Sequence, residues 1–346
     1  MYKVTENIFP LEWRLSDPLV VPYHGKKVFG TFVCGGGSTM GYKLAGYDHL
    51  GGVEFTEHYS RVYRANHKPR FFYEEDIREF NKRTDLPADL YQLDLLDGSP
   101  PCAAFSTSGA RERLWGKVSN YEGKQQVKDD LVYVYAETIE KLHPKAFLLE
   151  NVSGLTKGNA KIYLKNVVSR LSEEYSVQVF LLYAASMGIP QIRNRVFVIG
   201  LRKDYTLPAL ELAFDCPQTS FDITRKYWDH PSNRDYSIEK YAIGTEWDKV
   251  KVGGNSDRFF NLSKPHPKRP CFTITESCSG SSTASVVHPF QKRKLNGEET
   301  RLLCTFPKDY DFLDLIPVTV MGRSVLPVMM ANISNQIYLQ WLSKID

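Results

Sequence analysis

Between residues 27 and 201, short apolar runs alternate with stretches of helical spacing. The run 27-KVFGTFV-33 reads as a buried strand. It ends in 34-CGGGS-38, and 39-TMGYKLAGY-47 follows as a helix. A second strand, 51-GGVEF-55, leads into a helical stretch, 56-TEHYSRVYRAN-66. The third strand is 93-LDLLD-97. A long helix is expected at 125–142, where Val127, Leu131, Val134, Thr138 and Leu142 fall near one face. Then come 146-AFLLE-150, a helix over 160–174, and the strands 177-VQVFLLYAA-185 and 195-RVFVIGL-201. This rhythm predicts an α/β fold with a doubly wound, mostly parallel sheet.

After residue 201 the pattern changes. Residues 203–290 are rich in Pro, Ser, Asn, Asp, Lys and aromatic residues, which suggests a smaller, loop-rich module. Helical spacing returns at 296-NGEETRLLCTF-306, and 327-PVMMANISNQIYLQWL-342 reads as an amphipathic helix.

At 346 residues the chain has room for one large domain and a smaller one. With 42% hydrophobic and 24% charged residues it reads as an ordinary globular protein. It has no apolar run of membrane-spanning length, and its first residues lack a signal-peptide pattern. A cytoplasmic location without membrane contact is therefore expected. The net charge of +4 permits a nucleic-acid partner without demanding one. Six cysteines show no C-x-x-C spacing, so neither a metal site nor a disulfide framework is expected.

Four stretches carry candidate chemistry. Glycines at 35–37 after a first strand let backbone N–H groups approach a ligand, although glycine clusters also serve as plain turns. Glu54, at the end of the second strand, stands where such sheets bind a ribose hydroxyl, and Asp76 is a further polar candidate at the same edge. In 98-GSPPCAAFS-106 two prolines stiffen the backbone before Cys102. That suits a nucleophile, though a small buried cysteine is the alternative. In 147-FLLENVSG-154 an apolar strand ends in Glu150 and Asn151; a carboxylate there suits proton donation or a hydrogen bond to a ring nitrogen, or else a turn contact. In 190-PQIRNRVFVIG-200, Arg193 and Arg195 share a face and suit an anion or carbonyl oxygen, or else surface ion pairs.

In this order, 34-CGGGS-38, 98-GSPPCAAFS-106, 150-ENV-152 and 191-QIRNR-195 resemble the DNA cytosine-5 methyltransferases of the bacterial and phage restriction-modification type. The stretches 293-RKLNGEETRLLCTFPKDYDF-312 and 322-GRSVLP-327 resemble the family's last two motifs, and 269-RPCFTIT-275 its return to the catalytic domain. The resemblance implies a catalytic domain over 1–201 and 291–346 and a target-recognition domain over 202–290. It implies transfer of a methyl group from S-adenosylmethionine to C5 of a cytosine flipped out of double-stranded DNA, leaving S-adenosylhomocysteine. Cys102 would add to C6. Glu150 would hold N3 and the exocyclic amine, Arg195 would contact O2, Arg193 would order the site and Asn151 would brace the Pro-Cys loop. The cofactor would lie over Phe32, Val33, Cys34, Gly35, Gly36, Gly37 and Ser38. Glu54 would take the ribose and Asp76 and Ile77 the adenine, with Asp97, Pro100, Arg323 and Ser324 nearby. Ser106, Arg111, Arg113, Lys117 and Gln191 would contact DNA, the first four in or beside a loop that closes over it. In the recognition domain, 224-TRKYW-228 and 257-DRFFN-261 are candidate base readers. A monomer is expected, with a cognate restriction endonuclease as a candidate partner.

The sequence departs from the family pattern at three places. Val33 stands where Phe is usual, and Ala103 where Gln usually follows the cysteine. Arg323 replaces an asparagine common in the last motif. A cation there would favour an anion: the cofactor's own carboxylate, a nearby acid, or the extra carboxylate of carboxy-S-adenosylmethionine. Two other readings compete. A transfer-RNA cytosine-5 methyltransferase would share the motifs, and 271-CFT-273 is similar to a stretch of that branch. A non-catalytic DNA-binding protein would have lost Cys102, Glu150 or the arginines, and none is lost.

Overall fold

The computed structural model describes residues 3–101, 119–121, 124–126, 130–158, 160–232 and 234–346. Its centre is a seven-stranded sheet: β1 (Lys27–Thr31), β2 (Asp48–Val53), β3 (Phe71–Tyr73), β4 (Leu95–Gly98), β5 (Ala146–Val152), β6 (Tyr175–Tyr183) and β7 (Asn194–Arg202). The spatial order is β3-β2-β1-β4-β5-β7-β6. Neighbours pair in parallel except at β7, which runs antiparallel to both β5 and β6. The winding direction reverses between β1 and β4, and ligands of doubly wound sheets bind at the carboxyl ends of strands flanking such a switch.

The central strands are apolar on both faces because both faces are covered. Val28, Leu95 and Leu148 point into one core, and their neighbours Phe29, Leu96 and Leu149 into the other. Helices α1 (Gly37–Leu44), α2 (Glu57–His67), α3 (Ile77–Lys82), α4 (Leu131–Leu142) and α5 (Ala160–Leu171) connect the strands. The helix expected from residue 125 begins only at Leu131. Before it, Lys124–Gln126 pairs antiparallel with Ser119–Tyr121, and Val127 lies outside the described residues.

The chain's last helices are α7 (Gly297–Leu303), α8 (Pro317–Arg323) and α9 (Pro327–Gln340), after a short α6 (Ala242–Trp247) in the smaller module. Asn296 and Glu299 close a capping box at the start of α7. The expected amphipathic character of α9 does not hold. Pro327 through Ile337 are all buried, and Asn332, Ser334 and Gln336 among them are hydrogen-bonded. Asn332 donates to Val328 and Asn7, and the Ser334 carbonyl accepts from the Tyr47 hydroxyl.

The smaller module has its own core of Ile238, Ile243, Val250, Leu262 and Val287. Leu210, Leu212 and Phe221, within the expected 202–290, pack into the main core. Trp228 also packs there and Lys226 pairs with Glu12, so 224–228 is anchored to the large domain. Among the described residues, no helix is long and apolar enough to cross a membrane.

Candidate active site

β1 ends in a turn that the backbone makes tightly. Phe32, Cys34 and Gly36 all have positive φ, at 56°, 47° and 78°. Two of them are not glycine, so the turn needs outside support. Glu54 supplies it: one carboxylate oxygen accepts the Cys34 N–H at 2.8 Å, and the other accepts the Thr56 N–H at 2.9 Å. Burial pushes the Glu54 carboxyl up, while these backbone donors oppose the shift.

The glycines are required by packing behind the turn. A Cβ on Gly36 would lie 2.1 Å from the His67 ring, and one on Gly37 would lie 2.2 Å from the Val325 carbonyl. The Gly35 carbonyl accepts from His67 and from the Tyr310 hydroxyl. Val33 fits over Gly30 and Gly52, where any side chain would collide with it.

A cavity of about 500 Å³ opens over this turn. Phe32, Val33, Cys34, Gly37 and Ser38 line it, together with Glu54 and, from the next strand's edge, Glu75, Asp76 and Ile77. Asp76 caps α3 by accepting the Arg78 N–H at 2.8 Å. Asp97 was expected on this wall, and the structure puts it underneath. It is 2% exposed, does not line the cavity, and accepts the Tyr42 hydroxyl at 3.2 Å. Burial pushes its pKa up to about 7, and the charge of Glu150 adds to the rise.

The other half of the cavity gathers the ends of β4, β5 and β7. A Cβ on Gly98 would meet the Tyr135 ring at 2.3 Å. The Tyr135 hydroxyl donates to the carbonyls of Leu96 and Leu148, tying β4 to β5. Asn151, at the end of β5, donates to the Pro100 carbonyl at 3.2 Å. Pro100 and Pro101 reach the cavity. Cys102, Ser106, Arg111, Arg113 and Lys117 lie outside the described residues. Glu150 and Arg195 meet as an ion pair at 2.8 Å inside the cavity, each largely buried.

Arg193 and Gln191 do different work from Arg195. Arg193 is 1% exposed and donates to three backbone carbonyls: Ile274 at 2.8 Å, Ser324 at 2.9 Å and Gly322 at 3.1 Å. Gln191 was expected at DNA. It is fully buried instead, accepting the Ile274 N–H and donating to the Leu303 carbonyl, both at 3.0 Å. Together they fasten the segment returning from the smaller module. The 271-CFT-273 stretch belongs to the same fastening, since Cys271 bonds Pro190 and Ile192 through its backbone.

Arg323 lines the cavity with Ser324. Its guanidinium grips Glu276 with two bonds of 2.7 Å and lies 5.3 Å from the Tyr59 ring centre. Of the three anions considered for this cation, a nearby acid is the one in contact. Glu276, Tyr59 and Glu75 line the cavity without having been singled out from the sequence. No local pattern marks them, because they arrive from three separate segments.

The donor set fits S-adenosylmethionine. Both Glu54 oxygens are held by backbone N–H groups and keep lone pairs for ribose hydroxyls, the Phe32 and Ile77 side chains offer apolar contact, and the volume lies in the range of cofactor pockets. Among the described residues, no cluster of His, Cys, Asp and Glu is arranged to hold a metal ion.

Comparison with known proteins agrees. The chain is 28% identical over 263 residues to the Type II methyltransferase M.FnuDI of Fusobacterium nucleatum, spanning 72% of this chain and 71% of that protein. It is 25% identical over 337 residues to M.DdeI of Desulfomicrobium norvegicum, spanning 80% and 77%. Two solved structures share the fold. One is assigned as a DNA modification methyltransferase encoded within an E. coli prophage, with a TM-score of 0.67, 18% identity and coverage of 91% and 99%. The other is a triple mutant of Spodoptera frugiperda DNMT2, with a TM-score of 0.65, 16% identity and coverage of 91% and 100%. Residues 27–339 match the C-5 cytosine-specific DNA methylase family, so the chain belongs to that family and is a DNA cytosine-5 methyltransferase.

Proposed function

We propose that the chain flips a cytosine out of duplex DNA into the cavity beside Glu150 and Arg195 and attacks it with Cys102. The observation that carries this reading is the convergence of three strand ends. Glu150 and Arg195 are paired in the cavity, and Asn151 holds the Pro100 carbonyl two residues before Cys102. A base inside a duplex cannot offer C5 and C6 to an enzyme, so extrusion is required.

Cytosine C5 is a weak nucleophile. Glu150 takes up a proton as the base binds, donates it to N3 and accepts from the exocyclic amine, so that addition of the Cys102 thiolate to C6 leaves an enamine nucleophilic at C5; N3 returns the proton to Glu150 when the ring double bond is restored. Arg195 holds the base O2. Its bond to Glu150 sets both groups before the base arrives, which limits reorganisation in the reaction. Bound S-adenosylmethionine supplies the methyl group that C5 receives. It would be held by Phe32, Ser38, Glu54, Asp76 and Ile77 along the other half of the cavity. Loss of the C5 proton to solvent then returns the ring double bond and expels Cys102 as thiolate.

The restriction-modification setting, a monomeric state and a cytoplasmic location complete the proposal. The first of these is supported by the relatives' designation as Type II methyltransferases. The test is to express the chain in a host that lacks cytosine methylation and to map 5-methylcytosine in its DNA. One short sequence should be methylated throughout. Cys102→Ala should leave no methylation yet still bind DNA; persistent methylation in that variant would refute the assignment of the nucleophile.

A further inference from the structure

Beneath the cofactor half of the cavity lies a carboxylate that the proposed chemistry does not use. Asp97 sits near the carboxyl end of β4, where the winding of the sheet reverses, and is 2% exposed. It stands opposite Leu148 of β5, so Glu150 follows two residues further along the same face. The Thr31 hydroxyl, at the end of β1, donates to the Asp97 backbone carbonyl at 3.1 Å. Two hydroxyls of α1 hold the carboxylate itself, Tyr42 at 3.2 Å and Ser38. Ser38 also lines the cavity, so a single hydroxyl links this buried acid to the space over the turn.

Burying a carboxylate without a cation is costly. The groups around Asp97 supply none. Burial holds the phenols of Tyr42, Tyr63 and Tyr135, from α1, α2 and α4, above their ordinary pKa, so they stay neutral. Glu150, from β5, adds a second carboxylate, and the Arg195 guanidinium is engaged with it. Among the described residues no cation pairs with Asp97. S-adenosylmethionine would bring one, because its sulfur is a sulfonium. S-adenosylhomocysteine would not, because its sulfur is a neutral thioether. The two differ by one methyl group and one positive charge. A buried counter-charge separates them by charge, where shape alone hardly could.

We propose that Asp97, acting through Ser38, is the counter-charge for the cofactor's sulfonium and selects S-adenosylmethionine over its spent product. This rests on the reading that the turn half of the cavity holds that cofactor. Asp97 touches no reacting atom, so it is a positioning residue that sets ligand preference. Its proton reports the role. Without a cation beside it, burial pushes the carboxyl up to about 7, so below that pH most molecules carry the proton. A bound sulfonium favours the ionised form, and binding expels the proton. Affinity for the charged cofactor therefore rises with pH through about 7 and levels off above it.

Titration calorimetry without DNA tests this, using the two ligands and buffers of different ionisation enthalpy. At pH ~6.5 the parent should release about half a proton or more on binding S-adenosylmethionine, and less than about 0.2 on binding S-adenosylhomocysteine. From about pH 6 to 8 its affinity for S-adenosylmethionine should rise about tenfold relative to that of Asp97→Asn. For S-adenosylhomocysteine the relative rise should be less than about twofold. Asparagine keeps an oxygen for the Tyr42 hydroxyl, and comparison with this variant cancels any titration of the ligand's own amine. The proton count of the parent stands even if the variant does not fold. No proton release with S-adenosylmethionine, the same pH dependence in Asp97→Asn, or an equal rise with both ligands overturns the proposal. Failure of the underlying reading looks different: the parent would then bind neither ligand.

Discussion

Asp97 is the residue whose burial has the clearest consequence. Its carboxyl sits beneath the cavity with a folded-state pKa of about 7, against 3.8 for an ordinary aspartate. Below pH ~4 the group is protonated in both states and imposes no penalty. Between about pH 4 and 7 the unfolded chain releases the proton and the folded one retains it, so stability falls as pH rises, by up to about 1.4 kcal/mol per pH unit. Above pH ~7 both forms are ionised and the contribution is flat. Asp97→Asn keeps an oxygen for the Tyr42 hydroxyl and removes the titration. Urea unfolding of parent and variant from pH 4.5 to 8 should therefore show the variant gaining relative stability as pH rises. A constant difference across that range would mean Asp97 titrates normally.

At the scale of elements, α1 and α9 are packed so closely that a better helix former should destabilise the protein. A Cβ on Gly41 would lie 2.4 Å from the Met330 Cβ and 2.6 Å from the Pro327 carbonyl. Alanine gains about 1 kcal/mol of helix propensity over glycine, but overpacking against backbone costs about 1–3 kcal/mol. Gly41→Ala should lower the thermal midpoint by several degrees, whereas a raised midpoint would show that α9 can shift. The same contact explains what the sequence pattern conceals. Strands β1, β4, β5 and β7 were legible because a sheet covered on both faces needs continuous apolar runs such as 146-AFLLE-150. The last helix was legible as a helix and misleading as to its surroundings. Asn332, Ser334, Asn335 and Gln336 look like a solvent face until the partners from other segments, such as Asn7 and Tyr47, are known. At the site, Glu54, Glu150, Asn151 and Arg195 could be found because each stands near the end or start of a strand that borders the cavity. Glu276 could not, because its meaning comes from Arg323, 47 positions away.

Across the whole molecule, what matters is how the smaller module is held to the domain that carries Glu150. The proposed base extrusion would need a fixed distance between the smaller module and the cavity that receives the base. The segment leaving the module is fixed by side chains at the entry to β7. Gln191 spans Ile274 and Leu303, and Arg193 joins Ile274 to Gly322 and Ser324. A guanidinium suits this place because its planar fork can serve carbonyls from two segments at once, which the compact ammonium of lysine cannot. Arg193→Met preserves much of the volume and leaves three buried carbonyls without their donor, at about 1–3 kcal/mol each if they stay dry. The expected loss is ~3–9 kcal/mol in urea unfolding. Arg193→Lys should lose roughly half as much, because one ammonium can still reach one or two of the carbonyls. Both losses should appear without bound DNA or cofactor, since the carbonyls belong to the protein itself. If Arg193→Met unfolds within about 1 kcal/mol of the parent, water replaces the guanidinium at little cost. Some other contact would then have to hold the module at its working distance.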